Sequence, residues 1–262
     1  MTPISASLPV YWGIPGLAGL LVLLLVLGVF CAERALGAAG QARPRALQCA
    51  LGACAWCAFV LLVAASGLLT RFQARPPPFL VLLVLSAVGT VFIARSSFGE
   101  RLARGLPLAA LVGFQAFRLP LELLLERAAE DGTMPVEMSF SGYNFDIVSG
   151  GTALLLGVLL VYRPLSGRWV LGWNVLGLLL LCNIVVIAIA ATPVFHAFGY
   201  AHLNVWVTEP PFVLLPLVLV MAALFGHVLV FRKLKQARRP PLSAAGTGSA
   251  DRRPPDTFPA VF

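Results

Sequence analysis

Seven stretches of this chain, 10–32, 47–69, 79–95, 106–125, 146–162, 169–192 and 210–231, are almost unbroken runs of apolar residues. No other feature limits the possible folds so sharply. A helix rises 1.5 Å per residue, so about 20 apolar residues cross about 30 Å of hydrocarbon. The third and fifth stretches are the shortest. Together the seven occupy most of the 262 residues, and the charged fraction is only 11%, which leaves no room for a soluble domain. Inside a bilayer every backbone N–H and C=O must be satisfied internally, which permits helices or closed barrels. A barrel strand alternates apolar and polar residues; these runs are continuous. The expected fold is all-α, a polytopic bundle of seven transmembrane helices over residues 1–235. Residues 236–262, rich in Pro, Ser, Gly, Ala and Arg, read as a disordered cytoplasmic tail.

The formal charge of +8 is distributed as a topology signal. Arg34, Arg43 and Arg45 follow the first stretch; Arg95, Arg101 and Arg104 follow the third; Arg163 and Arg168 follow the fifth. The densest group, from Arg232 to Arg239 with Arg252 and Arg253, follows the seventh. The opposite side has Arg71, Arg75 and Arg127. Basic residues stay in the cytoplasm, so the N-terminus is expected outside and the C-terminus inside. The juxtamembrane arginines and lysines then meet anionic lipid headgroups, and nucleic acid is not an expected partner. The first stretch has no preceding Lys or Arg and is longer than a signal-peptide core, so it reads as a retained span.

Several chemistries are disfavoured by residue type and position. The five cysteines lie in or beside spans, where Cys packs as a small hydrophobe; Cys54 and Cys57 have redox-motif spacing but no charge nearby to activate a thiolate. A retinal Schiff base needs a lysine within a span, and Lys233 and Lys235 lie in the basic segment instead. His196 and His202 are six apart, which is not a helical ligand pair, and His227 is read as too deep to join them. The reading is therefore of no metal, no cofactor and no assigned catalytic residue. Tyr200 and Trp206 are expected to anchor the last outer loop at headgroup level. Asn174 and Asn183 fall on opposite faces of the sixth span and read as helix-packing residues.

The exception to lipid-compatible chemistry is in the fourth stretch. Gln115, Arg118 and Glu122 share one helical face at i, i+3 and i+7, and Glu126 extends that stripe. A charge at bilayer depth costs roughly 2.5–3.5 kcal/mol on insertion scales, so it faces a partner or a cavity. Arg118 and Glu122, four apart, are expected to pair, and Pro120 between them frees a backbone carbonyl near Ala116. The loop 126–145 is acidic, and its last residues, Tyr143, Asn144 and Asp146, enter the fifth span at the level of Glu122. Asn144 or Asp146 caps that helix in the simplest reading. In the functional reading Tyr143, Asn144 and Asp146 complete a pocket with Gln115, Arg118 and Glu122.

The run Phe117-Arg118-Leu119-Pro120-x-Glu122, followed by Met134-Pro-Val-Glu-Met-Ser-Phe-Ser-Gly-Tyr-Asn-Phe-Asp146-Ile, resembles a group of small polytopic bacterial inner-membrane proteins to which no activity is attached. The likeness covers about residues 114–150, with Trp173-Asn174 and Thr192-Pro193 in keeping. It implies a multi-pass protein of the bacterial inner membrane and no reaction. Three functions are compatible with these residues. The first is a carrier or receptor binding a small polar or anionic solute, or a proton, in a periplasm-facing pocket under loops 126–145 and 193–209. The second is a non-catalytic subunit or assembly partner whose intramembrane charges lock helix packing. The third is a lipid-acting membrane enzyme. The first predicts a cavity reaching Arg118, the second a filled core with Arg118 fully paired.

Overall fold

The computed structural model describes residues 6–237, and among them it is all-helical. Eight helices follow one another: α1 (Leu8–Ala35), α2 (Ala39–Ala65), α3 (Pro78–Arg95), α4 (Ser97–Gly105), α5 (Leu108–Glu130), α6 (Ile147–Tyr162), α7 (Gly167–Ala190) and α8 (Leu215–Ala237). Six of them, α1, α2, α3, α5, α7 and α8, are long and apolar enough by length and composition to cross a membrane. The protein is an integral, multi-pass membrane protein.

Four expectations change in detail. The fifth apolar stretch forms α6, only 16 residues long; at 1.5 Å per residue that is about 24 Å, less than a hydrocarbon core. The inner connection 96–105 is not a loop but α4, whose Ser96 hydroxyl accepts the Phe98 N–H as an N-cap. Gly99, Leu102 and Ala103 are buried while Glu100 and Arg104 are exposed. The acidic loop starts later than 126, because α5 continues to Glu130. Finally, Gln236 and Ala237 complete α8; the expected disordered tail otherwise lies outside the described residues.

Two helices carry irregular turns where prolines interrupt the hydrogen-bond ladder. The turn Phe114–Phe117 of α5 tightens to 3-10 geometry just before Pro120. Around Pro216, the turn Leu215–Leu219 of α8 widens to π geometry. The Leu217 carbonyl there accepts the indole N–H of Trp56 from α2 at 2.9 Å. These are the places where backbone carbonyls become available to side chains.

The helices pack as a bundle with α5 at its centre, touching α1, α6 and α8. Small residues set the α5–α6 approach. A Cβ on Gly157 would stand 2.9 Å from the Gly113 Cα, and one on Gly150 would stand 2.3 Å from the Leu119 nitrogen. Any side chain at these two positions would force the helices apart. Close approach through small residues is how membrane helices gain contact when lipid is as apolar as their own side chains. It also carries the first residues of α6 alongside Arg118.

The core divides into two apolar clusters. One, nearer the acidic loop, gathers Val10, Ile14, Leu121, Leu125, Trp206, Phe212 and Leu217; the other, nearer the basic ends, gathers Val29, Leu102, Val112, Trp173 and Val230. Between them lies a polar layer.

Candidate functional site

Arg118 is 1% exposed and stands near the middle of the 23-residue α5. Its guanidinium makes four hydrogen bonds. Nε donates to Asp146 Oδ2 at 2.6 Å and Nη2 donates to Asp146 Oδ1, a bidentate fork on one carboxylate. The geometry matches the planar guanidinium and fixes both partners. Nη1 reaches the Gly177 carbonyl of α7 at 3.3 Å and the His227 Nε2 of α8 at 2.9 Å. One side chain thereby ties α5 to the α6 entrance, α7 and α8.

The imidazole of His227 is oriented by a second residue. Asn174 Nδ2 donates to the His227 carbonyl at 3.1 Å, so its amide oxygen faces His227 Nδ1 at 2.9 Å. An amide oxygen only accepts, so Nδ1 carries the proton and Nε2 accepts from Arg118. Both residues are fully buried. A Cβ on Gly177 would lie 2.7 Å from His227 Cε1, so glycine makes the room the ring occupies.

The expected Arg118–Glu122 pair does not form. The bidentate geometry goes to Asp146, which the α5–α6 approach brings in from 28 residues away. Glu122 is 1% exposed and takes its hydrogen bond from Asn144 Nδ2 at 2.6 Å; no cation lies within ion-pair distance among the described residues. Asn144 also donates to the Met138 carbonyl and accepts the Asp146 N–H on Oδ1 at 3.1 Å. The Asp146 side chain makes no capping hydrogen bond to α6, since both of its oxygens face Arg118.

Two other candidates stand apart from this constellation. Gln115 is buried, but its amide nitrogen donates to the Ala223 carbonyl at 2.9 Å, and its Oε1 has no partner. Tyr143 is 57% exposed, with its ring stacked on Phe198 and its carbonyl accepting from Asn183. It belongs to the loop layer above the site. Trp206, expected at headgroup level, is instead buried against Phe212, while Tyr200 is exposed.

A cavity of about 60 Å³ lies between α3, α5, α7 and α8. Arg118, Glu122 and Asp146 are among its lining residues, and Asn204 contributes from the last loop, but their polar atoms are turned to one another and the surface the cavity exposes is almost wholly apolar, with Leu83, Phe117, Leu181 and Leu219 among its walls. The two loops above are joined: His202 Nδ1 lies 2.7 Å from Glu137 Oε1. His196 stacks on Tyr200 at 4.8 Å. Among the described residues no group of His, Cys, Asp and Glu has the arrangement to hold a metal ion.

His227 and Asn174 were not among the candidate site residues. Their signal was present as depth. α5 and α8 run in opposite directions, and Arg118 and His227 each fall near the middle of a 23-residue helix, hence at one level. Asn174 does bridge α7 to α8 as a packing residue would, but through the ring that meets Arg118.

No known protein family, no curated protein and no solved structure matches this chain.

Proposed function

We propose that this is a seven-crossing protein of the bacterial inner membrane, one of the small polytopic group that residues 114–150 resemble. In this reading its N-terminus is outside, its C-terminus is in the cytoplasm, and it works as a carrier or receptor whose ligand is a proton held at Glu122. The positive-inside pattern supports the orientation. For α6, the short helix is compatible with crossing because a membrane thins around a short span at modest cost.

The observation that carries the reading is Glu122. It is a buried carboxyl at bilayer depth, held by one amide in the wall of a small, almost wholly apolar cavity. Intramembrane carboxyls in such settings mark ion and proton routes. Arg118 and Asp146 then act as its fixed electrostatic partners, and Asn144 holds its orientation. Asp146 carries a bidentate arginine, which leaves Glu122 as the group free to exchange a proton.

Two measurements test this. A pH-jump infrared difference spectrum of the purified protein should show a carboxylic-acid band that Glu122→Gln removes and Gln115→Leu leaves. Proteoliposomes holding a pH-sensitive dye should dissipate an imposed pH gradient for wild type and not for Glu122→Gln. A band unaffected by Glu122→Gln defeats the proton site. A normal band without flux leaves a receptor rather than a carrier.

One observation favours the packing-lock reading. Arg118 is almost wholly inaccessible and its partners are all side chains or carbonyls of the protein. In that reading Glu122→Gln changes stability alone.

A further inference from the structure

A second concavity, of about 560 Å³, lies on another side of the bundle. It falls within the roughly 300–1,000 Å³ of small-molecule sites. Leu25 of α1, Gly52 and Trp56 of α2, Gly89 of α3, and Met221 and Phe225 of α8 line it. It exists because α2 packs chiefly on α1, while α3 packs on α8. The two pairs diverge, and the Trp56 indole bridging to the Leu217 carbonyl spans one end.

Its chemistry selects the occupant. The walls are nearly all apolar, and the Ser86 hydroxyl is spent on the Leu82 carbonyl of its own helix. Apart from Phe98 of the short α4, every wall residue belongs to a helix apolar enough to cross a membrane, so the groove lies at acyl-chain depth. The basic end differs. Cys49 and Ile93 line the groove there, with Arg45 one turn before Cys49 and Arg95 two residues after Ile93. Arg45 is engaged by Glu33, whereas Arg43 and Arg95 are exposed and have no ion pair among the described residues.

We infer that this groove holds one acyl chain of an anionic phospholipid, whose phosphate sits at the level of Arg43 and Arg95. Long arginine side chains reach from a helix end to the headgroup layer, and each basic residue near anionic lipid adds affinity. A second copy of the chain fits less well. A two-fold dimer sets the same patch against itself, which would bring these unpaired arginines together.

Two glycines supply the test. A Cβ at Gly52 or at Gly89 would meet nothing within 4 Å, so Gly52→Leu/Gly89→Leu sends side chains into the groove from positions where the first added atom has open space. Native mass spectrometry of wild type in detergent with added phosphatidylglycerol or phosphatidylcholine should show one retained lipid, with phosphatidylglycerol preferred. The filled variant should lose it. Arg43→Gln and Arg95→Gln should keep an acyl-bound lipid but lower the headgroup preference by about fivefold for each arginine removed.

If the filled variant does not fold, wild type still decides the matter. Brominated acyl chains should quench the fluorescence component that Trp56→Phe removes, and more strongly on phosphatidylglycerol. Equal lipid retention by a folded filled variant, or no quenching at Trp56, overturns the inference. So does a wild-type dimer that the filled variant converts to monomer, which would make a second copy the occupant.

Discussion

Two arginine–carboxylate clusters hold this bundle, and they are built in opposite ways. At the centre, Arg118 and Asp146 are both buried, with side-chain exposures of 1% and 4%. At the basic end, Glu33 is buried at 4%, but its partners Arg45 and Arg101 are 38% and 37% exposed. Glu33 takes Arg45 Nη1 at 2.6 Å and Arg101 Nε at 2.6 Å, with a further bond from Arg101 Nη2. It ties α1 to α2 and α4. The difference follows from solvation. A guanidinium at the rim can turn to water or headgroups if its partner goes, whereas one at bilayer depth has nowhere to turn. The central arginine therefore needs a complete shell, supplied by Asp146, Gly177 and His227. The rim arginines need only one shared acid.

The comparison is broken most directly at Asp146. Removing one partner of a buried pair leaves an uncompensated charge, so Asp146→Ala should lower stability by about 3–5 kcal/mol. Replacing both partners in Arg118→Met/Asp146→Leu should recover most of that loss, as apolar replacements of buried pairs do. Denaturant or thermal unfolding in detergent reads both. A loss below about 1 kcal/mol for the single variant would show that the central pair is not under the stated constraint.

At the rim the expected effects are smaller and unequal. Glu33→Gln removes the shared negative charge and one of the two accepting oxygens and should cost about 1.5–3 kcal/mol, the range for hydrogen bonds to charged groups. Arg45→Gln leaves Arg101 in place and should cost about 0–1 kcal/mol, because its half-exposed charge is screened. Equal losses at Glu33 and Asp146, by the same unfolding assay, would erase the distinction between the two clusters.

The smallest effect concerns pH at the acidic end. Asp131, just beyond α5, is held below the usual carboxylate range by hydrogen bonding from Ser7, with Arg127 adding to it; the Ser7 N–H donates to its Oδ2 at 3.1 Å. A carboxylate lowered on folding contributes stability that is present above its unfolded value and lost as pH falls through its folded value. Protection of the Ser7 amide against hydrogen exchange should therefore weaken on acidification. In Asp131→Asn that dependence should vanish. A wild-type Ser7 amide indifferent to pH would remove this tie from the account.

Much of the fold was legible because lipid imposes a length rule. Uninterrupted apolar runs have to be helices, and six of the seven came out long enough to cross. The fifth run was harder, since its polar lead-in, Tyr143 to Asp146, is drawn into the loop and site rather than into helix. The connection 96–105 looked like a loop because it is short and charged, yet it folds as α4 on the buried faces of Leu102 and Ala103. Arg118, Glu122, Asn144 and Asp146 were all identifiable, since a charge or amide inside or entering an apolar run is conspicuous. Their pairing was not.

The sequence by itself determined that the long apolar segments are helical, which end of the bundle is basic, and that Arg118 must be compensated. Those properties depend on residue type and local spacing along one helix. Only the tertiary structure decided who compensates it. The i, i+4 neighbour Glu122 was the nearest acid in sequence, but Gly150 and Gly157 let α6 come close enough for Asp146 to take both sides of the guanidinium. Glu122 was thereby left to a hydrogen bond from Asn144 in the wall of a small cavity, and His227 joined from a helix more than a hundred residues away. Backbone proximity set by two hydrogen atoms, in place of two side chains, chose the partner.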